Sequence, residues 1–567
     1  MRYLEDPRQS ELFDVFADIL APVAYRRLTS GWQHVFRQAI LKLMPAGKLA
    51  EHFDPQLGRP TKELYSMAGL LFIMEFRNWT HEEAADAYMF NIDAQYALNL
   101  QPEKQSLCRR TIERYIKLFR EDELAQAIMH DVTGELVQLL ELDVSKQRLD
   151  STHIESNMAK FGRMKLMATA IRRFLVQLKR HDEGSYNALR KAVRERYEAL
   201  DSAIFGWKTL DDDGVNQLRQ SIAEDLAYLV ERYGRNKDHN SRSTYLMLVK
   251  VFEQQCEVVD EKVVVKKHTG GDIVCNPSDP DATFDGHKGS GYQVQLSETC
   301  SPDNSVQLIV SAIPETAVKS DSAALEIVID DLKARGLLPD RLLADTAYGS
   351  DDNDMLCRSE DISLVSPTSG KCPVDHVDPD AITVSDFRIE DGEAQDEYGR
   401  TIIVPTCVEC PSGQKPHRSF YDDFLKQINI LQHPHVCAAC PLLQKCPVRF
   451  ADGWNQVTIE AKQVRLINRR RKEKTTEFRD EYRLRSGIEA TNSLLKRVTG
   501  LDRLRVRGRP AVFSSILLKV AGWNLLRAAS VRSLIAKLTK GGQAGQSALS
   551  FSTSNRRLVT FSTLLVA

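Results

Sequence analysis

The sequence predicts an α/β protein: a mixed-sheet core interrupted by a helical insertion and a cysteine-rich insertion, with an all-helical region at the N-terminus. Three observations lead there. The β-branched runs EVVDEKVVVKKH, GYQVQLSET and VQLIVSAI are followed by a helix-period stretch, DSAALEIVIDDLKARG, and by the short apolar run RLLAD. Hairpin-like strands followed by helix and strand build a mixed sheet. Helix-period stretches without strand signals occupy about 61–145 and 160–256. Five of the eleven cysteines crowd into 407–446.

The 567 residues leave room for roughly three to five domains, or for one core with large insertions. Hydrophobic residues at 42% and charged residues at 27% are ordinary globular values and exclude global disorder. No uncharged apolar run reaches the ~18 residues of a membrane span, and the opening MRYLEDPRQSELF has no basic segment followed by an apolar core. A cytoplasmic protein without membrane contact is the expectation.

In chain order, 1–145 reads as short helices: KELYSMAGLLFIMEF is apolar-periodic, Thr80 can cap HEEAADAYMFN, and CRRTIERYIKLFRED alternates basic and apolar faces. Their brevity suits either a helix-turn-helix arrangement or a simple packing bundle. Residues 146–158 and 257–350 form the first part of the core, and 159–256 a helical insertion with charges opposite Leu, Ile and Val. The segment 351–455 is acidic, loop-rich and then cysteine-rich. Residues 456–540 return to helix, and the Gly-, Ser- and Thr-rich 541–567 is expected to be a disordered tail.

The net charge of −2 conceals two opposed blocks: 461–510 holds sixteen Lys or Arg against six Asp or Glu, whereas 351–400 holds four against fourteen. Different roles are expected for them, the basic one being either a solvated face or a contact for a polyanion.

Candidate chemistry rests on acids. Asp150 closes KQRLD and Asp345 closes RLLAD, so each is expected at a strand end, where carboxylates from adjacent strands can converge on a hard divalent cation. A strand-terminal Asp equally well caps a turn. The spacing Tyr482-x2-Arg485-x3-Glu489-x6-Lys496 puts all four on one face of a single helix, at about 100° per residue. The bland alternative is a surface ladder with a routine i,i+4 pair between Arg485 and Glu489. Cys407-x2-Cys410 and Cys437-x2-Cys440, separated by 26 residues, with Cys446 as a fifth candidate, have the spacing of a closed thiolate zinc site. Unliganded buried thiols are the alternative.

The Tyr-Arg-Glu-Lys spacing, with Asp150, Asp345 and the words RLDSTHIESNMA, NPSDPDATFDGHKGSGYQVQ, RLLADTAYGSDDN and SGIEATNSLLKRVTGLDRLRVRG, resembles the DDE transposases of bacterial insertion sequences, most closely their 1182-type subgroup. The resemblance spans about 36–527. It implies an RNase H-like core in which Asp150, Asp345 and Glu489 are catalytic and hold two Mg2+ (or Mn2+) ions. Tyr482, Arg485 and Lys496 would position DNA phosphates. It favours Cys410, Cys437, Cys440 and Cys446 as the ligands of a structural Zn2+ and leaves Cys407 over. The implied partner is double-stranded DNA, both transposon ends and target, with the N-terminal helices reading the ends and a homo-oligomer forming on paired ends. The implied activity is cleavage and strand transfer at terminal inverted repeats. Two rivals are a metal-dependent nuclease without strand transfer and a non-catalytic, zinc-containing DNA-binding regulator.

Overall fold

A computed structural model describes residues 1–7, 14–102, 105–198, 210–370, 382–395, 401–422 and 424–539. The expected tail at 541–567, and Cys372, lie outside the described residues. The fold is mixed α/β. Its main sheet contains β1 (Lys146–Ile154), β4 (Thr283–Asp285), β5 (Gly289–Thr299), β6 (Ile309–Thr316), β7 (Arg341–Ala344) and β8 (Ser363–Val365), while β2 (Cys256–Val259) and β3 (Lys262–Val265) form a hairpin apart from it. The strands run in the order β6-β5-β1-β7-β8, and β4 pairs with the start of β5. β5 is antiparallel to β1 and β6, whereas β7 is parallel to β1 and β8.

β5 is buried almost throughout. Gln293, Gln295 and Ser297 tolerate this because each finds a partner. Gln293 Nε2 donates to the Lys319 carbonyl at 2.8 Å, Gln295 Nε2 to Asp321 Oδ1 at 3.1 Å, and the Ser297 hydroxyl to Gln147 Oε1 at 2.7 Å.

The helix Arg509–Ala528 is buried over most of its surface. At Gly522 a Cβ would stand 2.2 Å from Phe76 Cβ, so a glycine is needed for this helix to cross Leu64–Phe76 so closely. Asn524 seals the outer edge of β6: its Oδ1 accepts from Ile309 N at 2.9 Å and its Nδ2 donates to the Ile309 carbonyl at 2.7 Å. One apolar core runs from Val35 through the sheet to Leu534, so the N-terminal helices and the sheet share it. Thr80 caps His81–Phe90 in a reciprocal capping box with Glu83.

The helices between Arg163 and Gln255 bury an apolar cluster of their own around Phe174 and Leu226, onto which the β3 residues Val263 and Val265 pack. A further small cluster lies under the four-stranded sheet β11 (Arg418–Asp422), β12 (Gln427–Gln432), β14 (Trp454–Glu460) and β13 (Arg449–Ala451), in that order, beside the hairpin of β9 (Arg388–Gln395) and β10 (Thr401–Glu409).

Three expectations need correction. The segment 351–406 is not mainly loop, since it contains the helix Asp351–Ser359, β8 and the β9–β10 hairpin. That helix tolerates its acids because Ser350 caps it and arginines from the basic block reach it. Arg465 forms a two-pronged pair with Asp351, at 2.9 and 2.7 Å, and Arg469 Nε stands 3.7 Å from Asp354. The opposed charge blocks are therefore partners in part, and these two arginines are spent inside the fold. Finally, the helical stretch after 460 is not one rod: it breaks into Ala461–Glu473, Thr476–Tyr482, a 3-10 turn at Arg483–Ser486, and Gly487–Thr499.

Candidate active site

The parallel register of β1 and β7 ends on the pair Leu149 and Ala344, so Asp150 and Asp345 are the next residue on each strand. Asp345 follows β7 directly and caps the 3-10 turn Thr346–Tyr348, its Oδ1 accepting from Ala347 N at 2.9 Å. Asp150 is not at a strand end: β1 continues to Ile154, held by β5 after β7 has stopped. The free edge beside Asp150 is thus created by the partner strand ending, a non-local event.

Helix Gly487–Thr499 supplies the third acid. A buried cluster fixes this helix on β1: Arg148 Nη2 lies 2.6 Å from Glu298 Oε2, the Thr491 hydroxyl donates to Glu298 Oε1 at 2.8 Å, and Arg148 Nη1 donates to the Leu484 carbonyl at 3.0 Å. Burial pushes the Glu298 carboxyl up, while Arg148 and the Thr491 hydroxyl pull it down. At Gly487 a Cβ would fall 1.8 Å from Arg148 Nη1, so the missing side chain is what lets the guanidinium pass under the helix start.

The result is a shared cation. Arg485 Nη2 stands 3.4 Å from Asp150 Oδ2 and 3.9 Å from Asp345 Oδ2, while its Nη1 donates to Glu489 Oε1 at 2.7 Å. One guanidinium gathers three carboxylates from a strand, a strand end and a helix. Burial works against its charge, but Asp150, Tyr482, Asp345 and Glu489 together hold it above its ordinary value. Burial pushes the Asp150 carboxyl up to about 6; Arg485 opposes this, and Asp345 and Asp321 add to it.

Tyr482 is half-buried, its ring stacked on Phe478 with centroids 5.7 Å apart, beside Leu343 and Val365. Lys496 is not with the acids. It lies about 10 Å further along the helix at 1.5 Å per residue, and its Nζ pairs with Asp502 at 3.4 Å.

Two neighbours escaped the sequence reading. Asn492, one turn after Glu489, donates from Nδ2 to Asp150 Oδ2 at 3.3 Å and is buried, its Oδ1 having no partner. Its i+3 spacing from Glu489 was readable on the helix. Asp321, held by Gln295, became a neighbour only through the sheet.

Among the described residues, no three His, Cys, Asp or Glu side chains form a group that could hold a metal ion as they stand. The oxygen donors nevertheless suit a hard cation, since Asp150 Oδ2 and Asp345 Oδ2 converge on one positive centre already. The cysteines sort themselves. Cys410, Cys437, Cys440 and Cys446 line one cavity of about 50 Å³, and the Cys446 thiol is pushed up by burial and then by the three other cysteines. Cys407 is buried in the adjacent apolar cluster, its Sγ 3.6 Å from the Glu409 carbonyl.

The basic helix Ala461–Glu473 is only partly available to a ligand. Besides Arg465 and Arg469, Arg470 donates to the Gly370 carbonyl at 2.6 Å, and Arg471 donates to the Ser385 carbonyl. A cleft of about 1310 Å³ lies between β8 and the cysteine segment, lined by Asp351, Arg465 and Glu481, and does not include the three acids. No helix among the described residues is long and apolar enough to cross a membrane.

Residues 409–529 match a family described as Transposase DDE domain. The matched stretch contains Glu489, the Tyr-Arg-Glu-Lys positions and four of the five clustered cysteines, and leaves out Asp150, Asp345 and Cys407. It supports a transposase or nuclease type of enzyme that acts on DNA. No curated protein and no solved structure matches the chain.

Proposed function

We propose that this chain is a metal-dependent DNA transposase of the 1182 type, which binds the terminal inverted repeats of its own element and cuts and joins DNA. The observation that carries the reading is the convergence of Asp150, Asp345 and Glu489 on Arg485, three acids separated by 195 and 144 residues in sequence. A surface ion pair between Arg485 and Glu489 needs neither aspartate. The strand order β6-β5-β1-β7-β8 supports an RNase H-like core.

Asp150, Asp345 and Glu489 would hold two Mg2+ or Mn2+ ions. Bound there, divalent cations supply charge stabilisation to the attacking and leaving oxygens of an in-line displacement at phosphorus. The chain's own groups do the rest. Asn492 orients the Asp150 carboxylate. Arg485, once released from the acids, is within reach of a phosphate beside them and offers it a two-pronged donor. Tyr482 lines the same side, and Lys496, two turns along, meets the backbone further away. A homo-oligomer on paired ends belongs to the same reading.

Zinc is the second part. Cys410, Cys437, Cys440 and Cys446, which border one small cavity, would close together on the ion of a tetrahedral thiolate site, and Cys407 is assigned to apolar packing. The metal would tie the cysteine segment together.

The test uses the full chain and a supercoiled plasmid carrying the element's ends. Mg2+-dependent nicking at the ends should vanish in Asp150→Asn, Asp345→Asn and Glu489→Gln while end binding persists. Near wild-type nicking by any two of them rejects the assignment. Joining of a free 3′-OH to target DNA separates a transposase from a nuclease.

A further inference from the structure

The four-stranded sheet β11-β12-β14-β13 lays one face on an apolar cluster, and on its other face Arg418, Phe420, Thr458 and Glu460 are exposed among the described residues, while Asn429 is buried. Ile428, Ile430, Val457 and Ile459 point into the apolar cluster, so by the two-residue period of a strand Arg418, Phe420, Gln456 and Trp454 stand on the other face. At one end of that face three rings meet. His417 stacks on Trp454 with centroids 4.5 Å apart and planes 16° apart, and His433 lies 4.7 Å from Trp454 and 4.3 Å from His417. His435 continues the stack from His433 at 5.2 Å.

His417 lies flat on Trp454, at 16°, and His435 on His433, at 21°, while His433 is tilted by 40° on Trp454 and by 56° on His417; among the described residues these histidines form no group that could hold a metal ion. Cations flank the rings. Arg418, Leu431, Gln456 and Arg449 lie on one rung across the sheet, putting Arg418 and Arg449 roughly 14 Å apart at ~4.8 Å per strand. The acids of this face, Asp422 and Glu460, sit together on a rung at the far end. Arg418 also lies over the Phe420 ring at 5.0 Å.

We propose that this face binds single-stranded DNA, with unpaired bases stacking on the Trp454–His417–His433 cluster and phosphates meeting Arg418 and Arg449. Flat rings beside cations are the recurrent means of holding a strand without reading its sequence, because every base has a stackable face. A duplex keeps its base faces inside and could use only the cations. The proposal rests on the reading of the chain as an enzyme that cuts DNA, since cleavage creates the ends from which a strand can unpair.

The experiment measures binding of the full chain, at fixed salt, to a labelled ~20-nucleotide oligo-dT and to an abasic strand of equal length. Trp454→Ala should weaken oligo-dT binding about tenfold or more and leave the abasic strand unchanged, whereas Trp454→Phe should stay within about twofold of wild type. Where Trp454→Ala lowers the melting temperature, the exposed pair Arg418→Gln with Arg449→Gln replaces it, and should reduce the salt slope by about 0.7 for each phosphate no longer neutralised. Equal oligo-dT affinity in Trp454→Ala and wild type overturns the proposal, as does tighter binding of the abasic strand than of oligo-dT. Nicking at the ends is read in parallel: where wild type nicks and Glu489→Gln does not, unchanged strand binding in Trp454→Ala overturns the role of this face alone and leaves the reading as an enzyme that cuts DNA standing.

Discussion

Arg485 Nη2 lies 3.4 Å from Asp150 Oδ2, which places a guanidinium where an acid needs a cation and ties the two roles together. At ~4 Å and an effective dielectric of ~20, a unit charge is worth about 4 kcal/mol. A divalent ion entering the site must therefore displace a favourable contact. Arg485→Gln should bind Mn2+ at least about tenfold more tightly than wild type in the absence of DNA, measured by titration calorimetry. Its metal-free melting temperature should fall, because three carboxylates lose their shared counter-charge. Unchanged Mn2+ affinity would show that the arginine does not compete for the seat.

The Arg148–Glu298 pair is buried, with Glu298 only 1% exposed, and it fastens the Glu489 helix to β1. Removing one partner of a buried ion pair leaves an uncompensated charge and costs about 3 to 5 kcal/mol. Arg148→Met should lower the urea unfolding free energy by that order. Arg148→Met with Glu298→Leu should recover a large part of it, since two apolar groups leave no charge stranded. A double variant less stable than the single one would sink this account.

For zinc, freshly purified reduced protein should contain about one Zn2+ per chain by elemental analysis. Serine at Cys410, Cys437, Cys440 or Cys446 should release it, while Cys407→Ser keeps it, because Cys407 lies outside the shared cavity. Chelation should lower the melting temperature, as binding energy at a closed site is folding energy. Absence of zinc, or its loss in Cys407→Ser alone, contradicts the assignment.

Local signals carried much of the fold. The strands β5, β6 and β7, the helix Asp321–Ala334 and the cap at Thr80 follow from periodicity and capping chemistry within a few residues. What escaped depends on contacts between distant residues. The 3-10 turn at Arg483–Ser486 occurs where Arg148 captures the Leu484 carbonyl and the Ser486 hydroxyl bonds to the Arg483 carbonyl at 2.9 Å; helical arithmetic on one segment cannot contain Arg148. Arg465 reads as a phosphate ligand from its basic neighbours, but Asp351, 114 residues away, holds it. Asp150 reads as terminal because KQRLD is followed by polar STH, yet β5 pairs with those residues regardless of their polarity. The acids themselves were legible only as a pattern, and their meeting point was not.

Lys519 offers a test of how the C-terminal helix is locked to the Glu489 helix. Its ammonium, 2% exposed, donates to the Thr499 carbonyl at 2.6 Å, the Glu75 carbonyl at 2.7 Å and Asn78 Oδ1 at 3.3 Å. It thereby serves the C-terminal carbonyls of two helices, Gly487–Thr499 and Leu64–Phe76, where a cation also meets the favourable end of the dipole. Burial nevertheless pushes the Lys519 amine down to about 8, with Glu75 opposing and Arg505 adding. The unfolded chain holds this proton up to about 10.5, so between pH 8 and 10.5 the unfolded state binds more protons and stability rises with pH. The contribution is full above the unfolded value and is lost as pH falls through about 8. Urea unfolding of wild type and Lys519→Met at pH 7, 8.5 and 9.5 isolates it, because the variant lacks the titrating group while sharing every other one. The variant should be less stable by about 1 to 3 kcal/mol at pH 7, having stripped a donor from buried carbonyls. The gap between the two proteins should then widen by about 1 to 2 kcal/mol toward pH 9.5. A gap that narrows over this range would mean that the three oxygen acceptors outweigh burial and hold the ammonium charged, reversing the direction assigned to Lys519.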